Sequence, residues 1–346
     1  LFSEIMAQSA ARIFPICGAI SWFVFFLAAT RLEALVVVPS SPSSSRLVHL
    51  PLKAASLEAG ESCGVNSVKN LRPVVPGSTL YRSATLDELT EEDAKRLISG
   101  SAFDFDNKEI GKPLASVIDL RNADEVRKGE RSRTKGSQLF YDSPNVEFLT
   151  IPVLANVDAF WEEAIATMDS GERMMAMLQT VLVGGALDRA AARHLERGGL
   201  PLLYAIMMKT GGRPLASALS ACLEVSARTD GGPILFHCQK GKDRTGILAM
   251  LIQTCLQINS NDAEIVDAYA LSGELLGELP NQSKDSDDSS SSTSTIDWSY
   301  FRGSPSEAME ETLSWIRGQY GSVEGYLDSI SFGEEKRAQL RRYCQQ

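Results

Sequence analysis

Residues 234–246 read Ile-Leu-Phe-His-Cys-Gln-Lys-Gly-Lys-Asp-Arg-Thr-Gly, so a cysteine and an arginine stand six positions apart with a glycine between them. These types at this spacing suit transfer of a phosphoryl group to sulfur. A phosphoryl dianion has three oxygens to satisfy. A loop that runs into a helix N-terminus offers inward-pointing N–H groups and the positive end of the helix dipole. The planar fork of Arg244 can hold two oxygens at once, which a lysine cannot. Gly241 stands where the chain can take a positive φ at little steric cost. The same field favours a thiolate at Cys238, the candidate nucleophile. The expected chemistry is in-line attack on phosphorus, a phosphocysteine intermediate and its hydrolysis. Backbone amides and Arg244 would stabilise the equatorial oxygens, so no metal or cofactor is required. Thr245 is expected to donate its hydroxyl to the departing sulfur, and His237 to orient the loop through a hydrogen bond. Gln239, Lys240, Gly241, Lys242, Asp243 and Arg244 make up the expected phosphate-binding set.

The elements around the loop are legible in outline. The apolar run Pro233 to His237 predicts the central strand that feeds the loop, and Thr245 to Ile252 the helix that follows. Ser116–Leu120 and Val146–Ile151 read as further strands. Thr90-Glu91-Glu92-Asp93 resembles a capping box opening a helix. Segments 159–182, 186–197 and 201–226, rich in Ala, Leu and Met, predict helices, and 159–200 a helical lid over the site. Met174, Met175, Met177 and Leu178 are expected in the core or in that lid, as are Met207 and Met208. Met309, Leu313, Ile316 and Tyr320 recur at helical spacing. Strands alternating with helices, and a phosphate loop at a strand's C-terminal end, predict an α/β fold with a mostly parallel central sheet flanked by helices.

The string His-Cys-x-x-Gly-x-x-Arg-Thr-Gly at 237–246 resembles the signature of the cysteine-dependent protein tyrosine phosphatase superfamily. Asn70-Leu71-Arg72, Leu80-Tyr81-Arg82-Ser83-Ala84 and Val117-Ile118-Asp119-Leu120-Arg121 with Glu125 are similar to blocks of one branch. That branch includes the secreted mycobacterial tyrosine/lipid phosphatase and bacterial, fungal and plant relatives. Asp267 to Ser272 and Tyr320 to Leu327 resemble its later blocks, and its members share Gly-Lys-Asp-Arg, here 241–244. The resemblance covers roughly 66–343. It implies a protein tyrosine phosphatase-like fold and a metal-independent phosphomonoesterase acting on phosphotyrosine proteins, with dual specificity open. A phosphoinositide phosphatase is the alternative and an inactive phospho-binding module the remote one.

The first step needs a proton donor, and two aspartates compete. Myotubularin-like lipid phosphatases also carry an aspartate directly before the loop arginine, which favours Asp243. Asp158 follows the run Phe148–Pro152, about where related enzymes carry an acid on a mobile loop, and is the alternative. The bland reading of Asp243 is an ion-pair partner for Arg82 or Arg121, each of which ends a strand-like segment. Lys240 and Lys242 add two cations to the loop. They would suit the extra phosphates of an inositol headgroup, or else face solvent.

The chain has 346 residues, is 44% hydrophobic and carries a formal net charge of −10. That is enough for one large α/β domain, expected at 61–346, and the acidic balance argues against nucleic acid as a partner. The six cysteines show no paired spacing, which argues against a zinc site or disulfide framework. Cys222 and Cys255 read as packing residues. Residues 1–60 are set apart as a targeting segment. Ile13 to Ala29 is uncharged, contains Pro15, and fits a signal-peptide core better than a bilayer span. The Ser/Pro-rich stretch after it resembles an organelle transit segment. Secretory pathway, organelle (a plastid included) and an uncleaved anchor stay open, with membrane contact expected only through that segment or the substrate. The Ser/Asp-rich stretch 281–297 predicts a disordered insertion within the domain.

Overall fold

In the computed structural model, which describes residues 65–103, 112–228, 231–256, 261–277 and 301–344, five short strands form one sheet. They are β1 (Arg72–Pro73), β2 (Leu80–Ser83), β3 (Ser116–Asp119), β4 (Glu147–Thr150) and β5 (Ile234–His237), in the order β1-β2-β5-β3-β4. β5 is central and parallel to both neighbours, β4 is parallel to β3, and only β1 is antiparallel. The α/β class and the mostly parallel sheet therefore match expectation. The targeting segment 1–60 and the insertion 281–297 lie outside the described residues.

Successive strand residues point to opposite faces, and here both faces are apolar. Leu80, Ile118, Ile234 and Phe236 enter the larger core, while Tyr81, Val117 and Leu235 enter the smaller one. The smaller core is covered by α1 (Glu91–Ser99), a 3-10 turn at Ser101–Phe103 and α3 (Lys135–Tyr141); α2 (Ala123–Ser132) precedes α3. The larger core is built by α4 (Val157–Ala166), α6 (Ala186–Thr210), α7 (Gly212–Ser226), α8 (Arg244–Leu256), α9 (Asp262–Leu276), α10 (Ser306–Tyr320), α11 (Val323–Ser329) and α12 (Glu334–Cys344). Every residue of α8 is buried, so a helix apolar on all sides runs through the middle of this layer. Cys222 and Cys255 are buried there, and burial pushes both thiols above their ordinary range.

Several sequence expectations are refined. The stretch 159–182 is two helices, α4 and α5 (Ser170–Leu182), and 201–226 is divided at Gly211. α6 joins 186–197 to the residues beyond Pro201 across a break at Gly199, whose φ is 56°. Thr90 caps α1 by accepting from the Asp93 N–H, but the capping box is only half made. The Asp93 carboxylate accepts from the N–H and hydroxyl of Ser67 instead, tying the first described segment to the helix. Met207 and Met208 are buried, whereas Met174, Met175, Met177 and Leu178 are not core residues; they are 48–59% exposed. The reason is the packing of α5, which seats Ala176 against a small cluster containing Ala190 and Ala191 and turns its larger side chains outward.

Phe140 is fully buried and meets Phe148 edge-on at 5.6 Å. Phe140→Ala should therefore lower the free energy of unfolding by about 3–5 kcal/mol. Leu178→Ala should shift it by no more than about 0.5 kcal/mol. Denaturant titration of the two variants checks both figures.

Candidate active site

The loop 237–243 leaves the end of β5 and enters α8 at Arg244. It is moored on both sides. The Leu120 N–H donates to the His237 carbonyl and the Thr85 N–H to the Gln239 carbonyl, while the Asp243 carbonyl accepts the first α8 bond from Ile247. Gly241 has φ 69°, the positive value the sequence called for, and a Cβ there would lie 2.2 Å from the Ser83 carbonyl oxygen. Glycine is thus required both by conformation and by the approach of the loop to β2.

Cys238 is 2% exposed at the start of this loop. Arg244 is buried beside it, and its guanidinium donates in parallel to Glu125, Nη1 to Oε2 at 2.7 Å and Nη2 to Oε1 at 2.9 Å. Burial alone would lower the Arg244 pKa, but Cys238 and Glu125 together hold it above its ordinary value. Glu125 is fixed in turn. It lies in the first turn of α2, and Oε2 accepts from the Asn122 N–H. The Arg244 Nε and the Thr245 hydroxyl are buried without a hydrogen-bond partner among the described residues. Buried donors are rarely left so, and these two belong to the residues with which the loop enters α8.

Two further arginines support the loop from behind. Arg82 donates from Nη2 to the Gly241 carbonyl at 2.7 Å and to the Ser272 hydroxyl at 3.3 Å. Burial brings its pKa down to about 10, against the opposing pull of Cys238, Tyr204, Tyr269 and Asp243. Arg72 donates to Ser272, to the Ala268 carbonyl and to Asn70; burial, then its neighbour Arg82, hold it well below its usual value. Asn70, at φ 61°, donates to the Gly241 carbonyl at 2.8 Å.

The remaining expectations divide. His237 is fully buried; its Nδ1 lies 3.2 Å from the Cys238 carbonyl, and its Nε2 lies 3.9 Å from Asp119. Burial lowers its pKa against the opposing pull of Asp119. Arg121 does not reach Asp243. It binds Asp119 and Asp87 and is structural, with Asp119 as its strand-end support. Arg82 reaches the loop backbone but not the Asp243 carboxylate, which accepts from Tyr204 instead. Lys242 does not face solvent: it is 1% exposed, and its ammonium donates to the carbonyls of Phe301 and Gly303. Gln239 and Lys240 are exposed on the rim. Asp158 is exposed in the first turn of α4, and no hydrogen bond or ion pair joins it to the loop among the described residues. Sequence reading gave no role to Glu125 and passed over Tyr204. The spacing Asn122-x-x-Glu125 signals a helix start, but nothing local shows that the glutamate also meets Arg244.

A model of the tyrosine phosphatase family matches residues 64–345. The chain belongs to that family. It is also similar to a tyrosine-protein phosphatase of Nostoc commune, 34% identical over 280 residues that cover 77% of this chain and 74% of the relative. The phosphatase is therefore a hydrolase of phosphate esters, and the described loop, cysteine and arginine all fall inside the matched region.

Glu125→Gln removes the charge that orients the Arg244 fork while leaving the helix cap a polar side chain. The phosphatase should lose about 10- to 100-fold in kcat/KM, the scale of one charge-assisted hydrogen bond. Steady-state assays at matched folded content, checked by circular dichroism, decide this.

Proposed function

We propose that the phosphatase hydrolyses phosphomonoesters through a phosphocysteine intermediate on Cys238, with phosphotyrosine in proteins as the substrate class. The observation that carries this reading is the Arg244 guanidinium, clamped by Glu125 beside a buried cysteine, with its Nε and the adjacent Thr245 hydroxyl unpartnered. In the first step the Cys238 thiolate attacks phosphorus opposite the ester oxygen. The S–P bond forms, the P–O bond breaks, and Asp243 gives its proton to the departing oxygen. Arg244 and the loop N–H groups stabilise the equatorial oxygens. In the second step water attacks the phosphocysteine, Asp243 takes a proton from it, and Thr245 donates to the leaving sulfur. His237 steadies the loop through the Cys238 carbonyl. Asp243 is preferred over Asp158 because it is in the loop and held by a buried hydroxyl, whereas Asp158 is a surface residue. The name of the Nostoc relative supports the phosphotyrosine assignment. The lipid alternative rested on two loop lysines, and the burial of Lys242 against the 301 and 303 carbonyls withdraws one of them.

The protein should hydrolyse p-nitrophenyl phosphate in the presence of EDTA and be inhibited by vanadate, and Cys238→Ser should abolish turnover. Retained activity in that variant would sink the proposal. On phosphotyrosine peptides, whose leaving group is poor, Asp243→Asn should lower kcat/KM by about 100-fold, while Asp158→Asn should leave it nearly unchanged. On a panel of phosphotyrosine, phosphoserine and phosphothreonine peptides beside phosphoinositides, the phosphotyrosine peptides should turn over fastest. Faster release from the lipids would replace the substrate class and leave the chemistry standing.

A further inference from the structure

Asp243 is held from outside its own loop. The Tyr204 hydroxyl, carried by α6, donates to Asp243 Oδ1 at 2.7 Å. The Tyr269 hydroxyl, carried by α9, lies 2.7 Å from that of Tyr204. With the Tyr204 proton committed to the carboxylate, the Tyr269 proton points to Tyr204 oxygen, and three elements are joined in one directed chain. Both phenols are buried, and their rings meet edge-on at 6.0 Å. Burial and the neighbouring Asp243 push both well above the ordinary tyrosine range, so they act as donors and stay neutral. The other groups around the carboxylate supply charge without direction. Lys242 Nζ is 3.9 Å from Oδ1 but gives its hydrogen bonds to the carbonyls of Phe301 and Gly303. Arg82 and Arg244 feel the carboxylate through space, while their hydrogen bonds go to the Gly241 carbonyl and Ser272, and to Glu125 and the Leu120 carbonyl. Among the described residues Oδ2 has no hydrogen-bond partner.

We propose that Tyr204 is a positioning residue for the proton donor, pinning Oδ1 of Asp243, with Tyr269 behind it, so that the transferred proton is carried on Oδ2. The inference rests on the reading of Asp243 as the acid. When Oδ2–H passes its proton to the ester oxygen, the alcohol leaves neutral and Asp243 is left as a carboxylate. The hydrogen bond from Tyr204 then becomes charge-assisted and strengthens as the P–O bond breaks. Tyr204 itself transfers no proton. In the second step the same carboxylate accepts the proton of the attacking water, and Cys238 departs from phosphorus as a thiolate. The break at Gly199 separates Tyr204 from the first part of α6. Tyr204 lies in the run of α6 beyond that break, which ends in Thr210.

A packing role and a positioning role for Tyr204 differ in one readout, the dependence of kcat/KM on the leaving group. Poor leaving groups need the acid, and p-nitrophenolate needs it little. Wild type, Tyr204→Phe, Tyr269→Phe and Asp243→Asn are assayed on p-nitrophenyl phosphate and phenyl phosphate. Tyr204→Phe should lose about 10-fold on phenyl phosphate, the scale of one hydrogen bond to a charged group, and less than about twofold on p-nitrophenyl phosphate. Asp243→Asn should show the same pattern more strongly, and Tyr269→Phe more weakly. A steep dependence in Asp243→Asn beside a wild-type dependence in Tyr204→Phe, whether its rates are unchanged or uniformly reduced, overturns the inference alone. A wild-type dependence in Asp243→Asn overturns the acid assignment and the inference with it. Melting temperatures accompany the kinetics. Should Tyr204→Phe fail to fold, Tyr269→Phe carries the test: a steeper dependence supports the relay and a wild-type one overturns it.

Discussion

A guanidinium taken out of water must be matched by something, and the contact between Arg244 and Glu125 is the match on which the site depends. Removing either partner would leave a buried charge without its complement, a cost of several kcal/mol by order of magnitude. The pairing also determines what faces the cysteine. With both terminal nitrogens engaged by one carboxylate, the fork cannot swing away from the loop. Because that carboxylate belongs to the first turn of α2, the position of the arginine is fixed by a helix on the far side of β3 in sequence. The loop, the sheet and α2 are thus parts of one electrostatic arrangement.

The same logic extends behind the loop. Arg72 and Arg82 are buried with carbonyls and hydroxyls as partners, and no salt bridge to a carboxylate is seen for either among the described residues. Neutral acceptors take their terminal donors without supplying a formal counter-charge at hydrogen-bond distance. The result is a local excess of positive charge within a protein of net charge −10. A low-dielectric surround makes such an excess act strongly on any anion brought to it.

Much of this was legible in the sequence because the signals were local. The runs that became β3, β4 and β5 are short with apolar centres, and a glycine that must take positive φ sits where the loop approaches β2. What escaped was tertiary. Glu125 and Arg244 are 119 positions apart, and Tyr204 stands in a helix whose neighbours Leu203, Ile206 and Met207 are ordinary core residues. The carbonyl partners of Lys242 are distant too, at 301 and 303, and only the fold brings them to it. The methionines of α5 divided the reading for a different reason: exposure excludes the core and leaves the lid. Apolar spacing says that a face exists, while the alanines opposite it decide which face is buried.

The anchoring of Lys242 bears on how portable the decapeptide 237–246 is. Grafted onto another scaffold without the strand of chain at 301–303, it would arrive with an ammonium group buried and unsolvated, and it would distort or protrude to reach water. The signature is therefore not a self-contained cassette, and an engineer who transplants it has to carry the distant carbonyls along or replace the lysine.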